Sequence, residues 1–84
     1  MVKIYFATKG AKKKEVCEVA SVYFKEYTLL KTTGIREGVL EPSWVLELID
    51  SENEAVASFS NMIKWKYNQE AVLVVNIPST HQFI

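Results

Sequence analysis

A chain of 84 residues, 49% of them apolar, makes one small domain with a thin core and excludes wholesale disorder. Ten basic and ten acidic residues leave no net charge, which speaks against a dedicated nucleic-acid binder or a membrane-surface module and makes self-association easier. The single cysteine, Cys17, has no internal disulfide partner. Without a signal-peptide pattern or an apolar run of roughly 18–20 residues, the expected location is cytoplasmic.

Val2 to Ala7 alternates Val2, Ile4 and Phe6 with Lys3, Tyr5 and Ala7, the pattern of a strand, and Thr8-Lys9-Gly10 turns out of it. Ala11 to Tyr27 carries Val16, Val19, Ala20, Tyr23, Phe24 and Tyr27 at steps of three and four, which predicts a helix with one apolar stripe. A threonine-rich strand runs from Thr28 to about Arg36. Gly34, Gly38 and Pro42 then punctuate a connection. Trp44 to Asp50 is the next strand, and Glu47 at its middle turns Trp44, Leu46 and Leu48 to the core.

Ser51 with Glu54 three residues on is a capping box opening a second helix, whose stripe is Val56, Phe59, Met62, Ile63 and Tyr67. Ala71 to Val75 is the last strand. The domain spans 1–76, and 77–84 is a C-terminal tail.

This order, strand-helix-strand-strand-helix-strand, resembles the ferredoxin-like sandwich: an α+β fold with a four-stranded antiparallel sheet and both helices on one face. The resemblance implies that the first and third strands are central and the second and fourth are edges, with the other sheet face bare. Tyr5, Val45 and Ile49 lie on that face, joined by Val72 and Val74 or else by Leu73 and Val75. So large an apolar patch, next to the apolar edge Val72–Val75, implies a homodimer or a protein partner.

Two further surfaces stand out. Lys9, Lys12, Lys13 and Lys14 crowd a helix start next to Gly10, where positive charge opposes the helix dipole. Free amides plus lysines suit an anionic small molecule, although the glycine spacing of a nucleotide-hydrolysing loop is lacking. The connection from Thr32 to Pro42 is longer than a minimal turn, exposes Ile35, Val39 and Leu40, and carries Arg36 for a charged group. Its other reading is a twisted hairpin extended by a bulge.

Catalytic chemistry has little to stand on. His81 is the only histidine and lies in the tail, one cysteine and one histidine do not make a metal site, and the spacing of Tyr5, Glu47 and Lys12 demands no joint action.

Several ferredoxin-like families are tested by their motifs. An RNA-recognition motif needs a basic, aromatic third strand, but here Ser43-Trp44-Val45-Leu46-Glu47-Leu48-Ile49-Asp50 has an acid at its centre. A metallochaperone needs Cys-x-x-Cys, and an acylphosphatase an arginine, where Thr8-Lys9-Gly10-Ala11 stands. In element order the chain is similar to ACT-like and PII-like domains. The segments Gly34-Ile35-Arg36-Glu37-Gly38 with Glu41-Pro42-Ser43, and Asn68-Gln69-Glu70-Ala71-Val72-Leu73, resemble small proteins of bacteria and their phages.

The expected function is a non-catalytic binding or regulatory module, without cofactor or metal, that self-associates through its sheet and contacts a protein partner. The alternative is a sensor binding an anionic metabolite or nucleotide at a subunit interface, through Lys9, Gly10, Lys12, Lys13 and Arg36.

Overall fold

Alternation in Val2–Ala7 builds a strand, β1, that buries Ile4 and Phe6 and leaves Tyr5 exposed between them. The computed structural model describes residues 1–50 and 52–78. After β1 come α1 (Lys13–Tyr23), β2 (Thr28–Arg36), β3 (Val39–Leu48), α2 (Asn53–Lys66) and β4 (Leu73–Asn76). The protein is therefore α+β, with one four-stranded antiparallel sheet in the order β2-β3-β1-β4.

One face of the sheet holds the core. Ile4, Phe6, Trp44, Leu46 and Leu48 from the central strands meet Val16 and Ala20 of α1 and Val56, Phe59 and Ile63 of α2 in a single cluster, so both helices cover the same face. Phe59 is the hub, fully buried against Phe6, Tyr23 and Phe24 with ring centroids 5.4, 5.9 and 5.5 Å away in edge-on geometry. Burying one such ring is worth about 1.5–3 kcal/mol, and each edge-on pair adds ~0.5–1.5 kcal/mol. The indole of Trp44 is buried with its polar atom satisfied: Nε1 donates to Thr8 Oγ1 at 2.9 Å. That bond ties the end of β1 to β3.

Several boundaries move for physical reasons. Gly10, at φ 87°, belongs to the turn that follows β1, and Ala11 N–H donates to Thr8 O within the same turn. Lys12 is then an extended N-cap, and α1 begins at Lys13 rather than Ala11. At the other end Phe24 is already extended (φ −131°, ψ 136°), so α1 ends at Tyr23 and not at Tyr27. Tyr27 reaches back instead, its hydroxyl donating to Cys17 O at 3.1 Å and accepting from Ser21 Oγ at 2.8 Å. Both aromatics keep helical spacing in sequence, yet Phe24 is buried from extended chain and Tyr27 is half-buried beyond the helix end.

Residues 32–42 take the second of their two readings, a hairpin, and no bulge extends it. β2 and β3 pair without interruption from Thr28↔Glu47 to Arg36↔Val39, and only Glu37 and Gly38 turn between them. Both have positive φ, 51° and 79°, the twist that matches a two-residue hairpin. Ser51 of the expected capping box lies outside the described residues. Glu52 is the N-cap of α2, with no side-chain cap bond. His81 of the tail also lies outside them.

Candidate functional site

Strand register places the side chains of the uncovered sheet face in rows. Leu30 pairs with Val45, Val45 with Tyr5, and Tyr5 with Leu73, so one apolar row crosses all four strands. Val45 is buried at its centre, while Leu30, Tyr5 and Leu73 are exposed. The next row is Thr28, Glu47, Lys3 and Val75, with Lys3 Nζ 3.3 Å from the Glu47 carboxylate. On the other side run Thr32, Ser43 and Ala7, with the Thr32 and Ser43 hydroxyls 2.9 Å apart. The apolar row is thus fixed between two polar ones.

Of the expected interface residues, Tyr5 and Val45 lie in this row. Ile49, just past β3, borders a shallow cleft of about 290 Å³ with Glu26, Tyr27, Thr28, Glu47 and Asp50. Val72 and Val74 are corrected. Val74 pairs with Ile4, and both valines pack on the core from the helix side, so Leu73 and Val75 face the open side instead. The sequence alone left that alternation undecided. Leu30 was missed, although adjacent leucines at 29 and 30 in a strand must face opposite sides; Leu29 packs on the core.

Ile35, Val39 and Leu40 come together at the tip of the β2–β3 hairpin. β1 reaches only to Ser43 on β3, so the hairpin projects past the central strands as an arm. These three residues are 73%, 61% and 69% exposed. Ile35 and Leu40 pair on the helix side, Arg36 and Val39 on the open side.

The expected anion residues divide between two places. Gly10, Lys12 and Lys13 border a shallow cleft of about 290 Å³, closed by Trp44 and by Lys31 from β2. Lys31 Nζ sits 6.0 Å from the Trp44 ring centroid, within cation–π range. Lys9 and Arg36 belong to a different cleft of about 310 Å³, with Glu41, Pro42, Asn68, Gln69 and Glu70. There Arg36 lies 3.8 Å from Glu70, both exposed, an ion pair of little strength. The structure therefore does not gather the five residues around one ligand, and it adds Lys31, which no local pattern links to Lys12.

Among the described residues, the buried hydroxyls Ser60 Oγ and Tyr67 OH have no hydrogen-bond partner. Burial pushes the Tyr67 phenol up from its ordinary value, and the negative charge of Glu15 adds to the shift. Glu15 in turn lies 3.6 Å from Lys66, whose ammonium sits 5.8 Å from the Tyr67 ring centroid. This cluster staples α1 to the end of α2. Trp65 is exposed on α2 and Cys17 is half-buried on α1.

Among the described residues, no three metal-ligating side chains cluster, and no helix is long and apolar enough to cross a membrane. No family model, curated protein or solved structure matches the chain.

Proposed function

We propose that this chain is a non-catalytic binding module of the ferredoxin-like kind, which self-associates through its sheet and meets a protein partner on the uncovered face. The strand order β2-β3-β1-β4 and the element order support that fold. The observation that carries the function is the row Leu30–Val45–Tyr5–Leu73, an apolar band crossing all four strands with no layer of the described chain over it. Exposed contiguous apolar surface of this kind is characteristic of interfaces.

Sedimentation equilibrium over a concentration series tests self-association. The purified chain is expected to show a reversible monomer–dimer equilibrium, and a monomer at every concentration would contradict the proposal.

A second reading is a sensor for a phosphate-bearing ligand. It draws on the convergence of Lys12, Lys13 and Lys31 around the cleft walled by Trp44. Under it, inorganic phosphate or polyphosphate raises the melting temperature in proportion to ligand binding, and Lys31→Ala removes the effect. No thermal shift with either anion would dismiss it.

A further inference from the structure

The geometry points to one particular partner and one edge: a second copy of this chain, joined antiparallel along β2 across a two-fold axis at Thr32. This deepens the proposed self-association and rests on it, but it names β2 where the sequence had drawn attention to the last strand. β4 is a short edge of four residues, whereas β2 offers nine along the opposite edge.

Backbone alternation determines what β2 has free. In a two-residue hairpin the flanking pair, here Arg36 and Val39, exchanges hydrogen bonds. Gly34, Thr32, Leu30 and Thr28 therefore also point their amides and carbonyls at β3, while Ile35, Thr33, Lys31 and Leu29 point theirs outward. Pro42 agrees with this assignment. It stands opposite Thr33, at a pair that requires no N–H from it. Four donors and four acceptors thus line an unpaired edge.

Thr32 is the midpoint of Thr28–Arg36, so a two-fold there pairs all nine residues with their copies. Lys31 then faces Thr33 of the partner subunit and Leu29 faces the partner's Ile35. All four are outward-pointing positions, and the ladder closes with roughly eight hydrogen bonds, four donors from each chain. On the helix side the exposed Ile35 gains Leu29 as an apolar neighbour. On the open side Leu30 lies opposite the partner's Gly34, which has no side chain to obstruct it. The apolar rows of the two copies then lie on one continuous face of eight strands.

Charge complementarity selects the same arrangement. Arg36 comes to lie opposite the partner's Thr28, which borders the cleft holding Glu26, Glu47 and Asp50. Arg36 lies in its own subunit at the far end of the strand, about 27 Å away at ~3.4 Å per residue. The usual guard of an exposed edge is a lysine. The one on this edge, Lys31, inclines instead toward the Trp44 ring. Nine residues a side is below the roughly 20–30 of a standard interface, so the dimer is reversible.

A charge-swap series read by sedimentation equilibrium tests the pairing. Arg36→Glu and Glu26→Lys change exposed residues, so the fold is kept. Each alone is expected to raise the dimer dissociation constant roughly tenfold, because a two-fold interface repeats the repulsion at two places. The double variant R36E/E26K, or an equimolar mixture of the two single variants, is expected to return to within about threefold of the natural chain. Such rescue cannot arise within one chain, given the separation along β2. If the natural chain dimerises, Leu73→Lys abolishes dimerisation and the charge variants do not affect it, then the copies meet face to face and β2 pairing is overturned while self-association stands. If the natural chain is monomeric throughout, both fall.

Discussion

The two-layered body and the β2–β3 arm spend apolar residues in opposite ways. In the body, Phe59, Ile4, Leu46 and Ile63 are fully buried between sheet and helices, and each side chain is held by several others. In the arm, Ile35, Val39 and Leu40 are mostly exposed, and the paired backbone with the Thr32–Ser43 contact holds the shape. Local rules are satisfied in both: alternation in the strands and positive φ in the turn. The difference is that the body completes its packing within one copy, whereas the arm and the adjoining open face do not. Surface apolar residues that do nothing for the monomer fit a chain whose packing is finished by another.

Substitutions sharpen the contrast. Phe59→Ala is expected to cost about 3–5 kcal/mol in urea denaturation, through lost burial and the cavity left behind. Ile35→Ala in the arm is expected to change monomer stability by less than about 0.5 kcal/mol. Comparable losses at both positions would erase the distinction. Next in size is Trp44→Phe, which leaves the buried Thr8 hydroxyl without its donor and costs about 1–3 kcal/mol. Adding Thr8→Val recovers part of that loss, because replacing both partners removes the unmet polar group; strictly additive losses would show that the bond is not what joins β1 to β3.

The third is a pH effect in the body. The folded state raises the Tyr67 pKa by burial and by the charge of Glu15. The unfolded chain therefore releases this proton first, at pH about 10. The contribution of Tyr67 is complete below that pH and is lost as pH climbs through the folded value. Tyr67→Phe is expected to flatten this alkaline decline in denaturation experiments, and an unchanged alkaline limb would contradict the assignment.

The smallest effect belongs to the arm. Glu37 occupies a left-handed conformation at φ 51°, which asparagine tolerates better. Glu37→Asn is expected to raise thermal stability by up to about 1 kcal/mol, and a loss would mean that the turn is not the two-residue type.

Much of the body was legible in the sequence because its residues follow simple periods. β1 and β2 end where alternation and turn residues predict, and Glu47 gave the facing of Trp44, Leu46 and Leu48. The arm kept two readings because Gly34 looks like a turn residue but lies within β2. A Cβ there would meet Ser43 Oγ at 3.4 Å, an ordinary van der Waals distance, so neither a turn nor a close approach requires the glycine at this position. Glu37 and Gly38 do the turning together, with a glutamate where asparagine is usual. The facing of Val72 and Val74 was hidden by a run apolar at every position, where period two carries no information. The Lys12–Lys13–Lys31 cleft depends on β2 passing beside the start of α1, a tertiary fact that no spacing along the chain encodes.

Amide hydrogen exchange along β2 tests the claim of assembly through this edge most directly. The even positions Leu30, Thr32 and Gly34 are bonded to β3 and are expected to stay protected at all protein concentrations. Leu29, Lys31, Thr33 and Ile35 are expected to exchange freely in dilute solution and to become protected together as concentration rises. If those four remain unprotected while the protein is demonstrably dimeric, the copies do not join along β2.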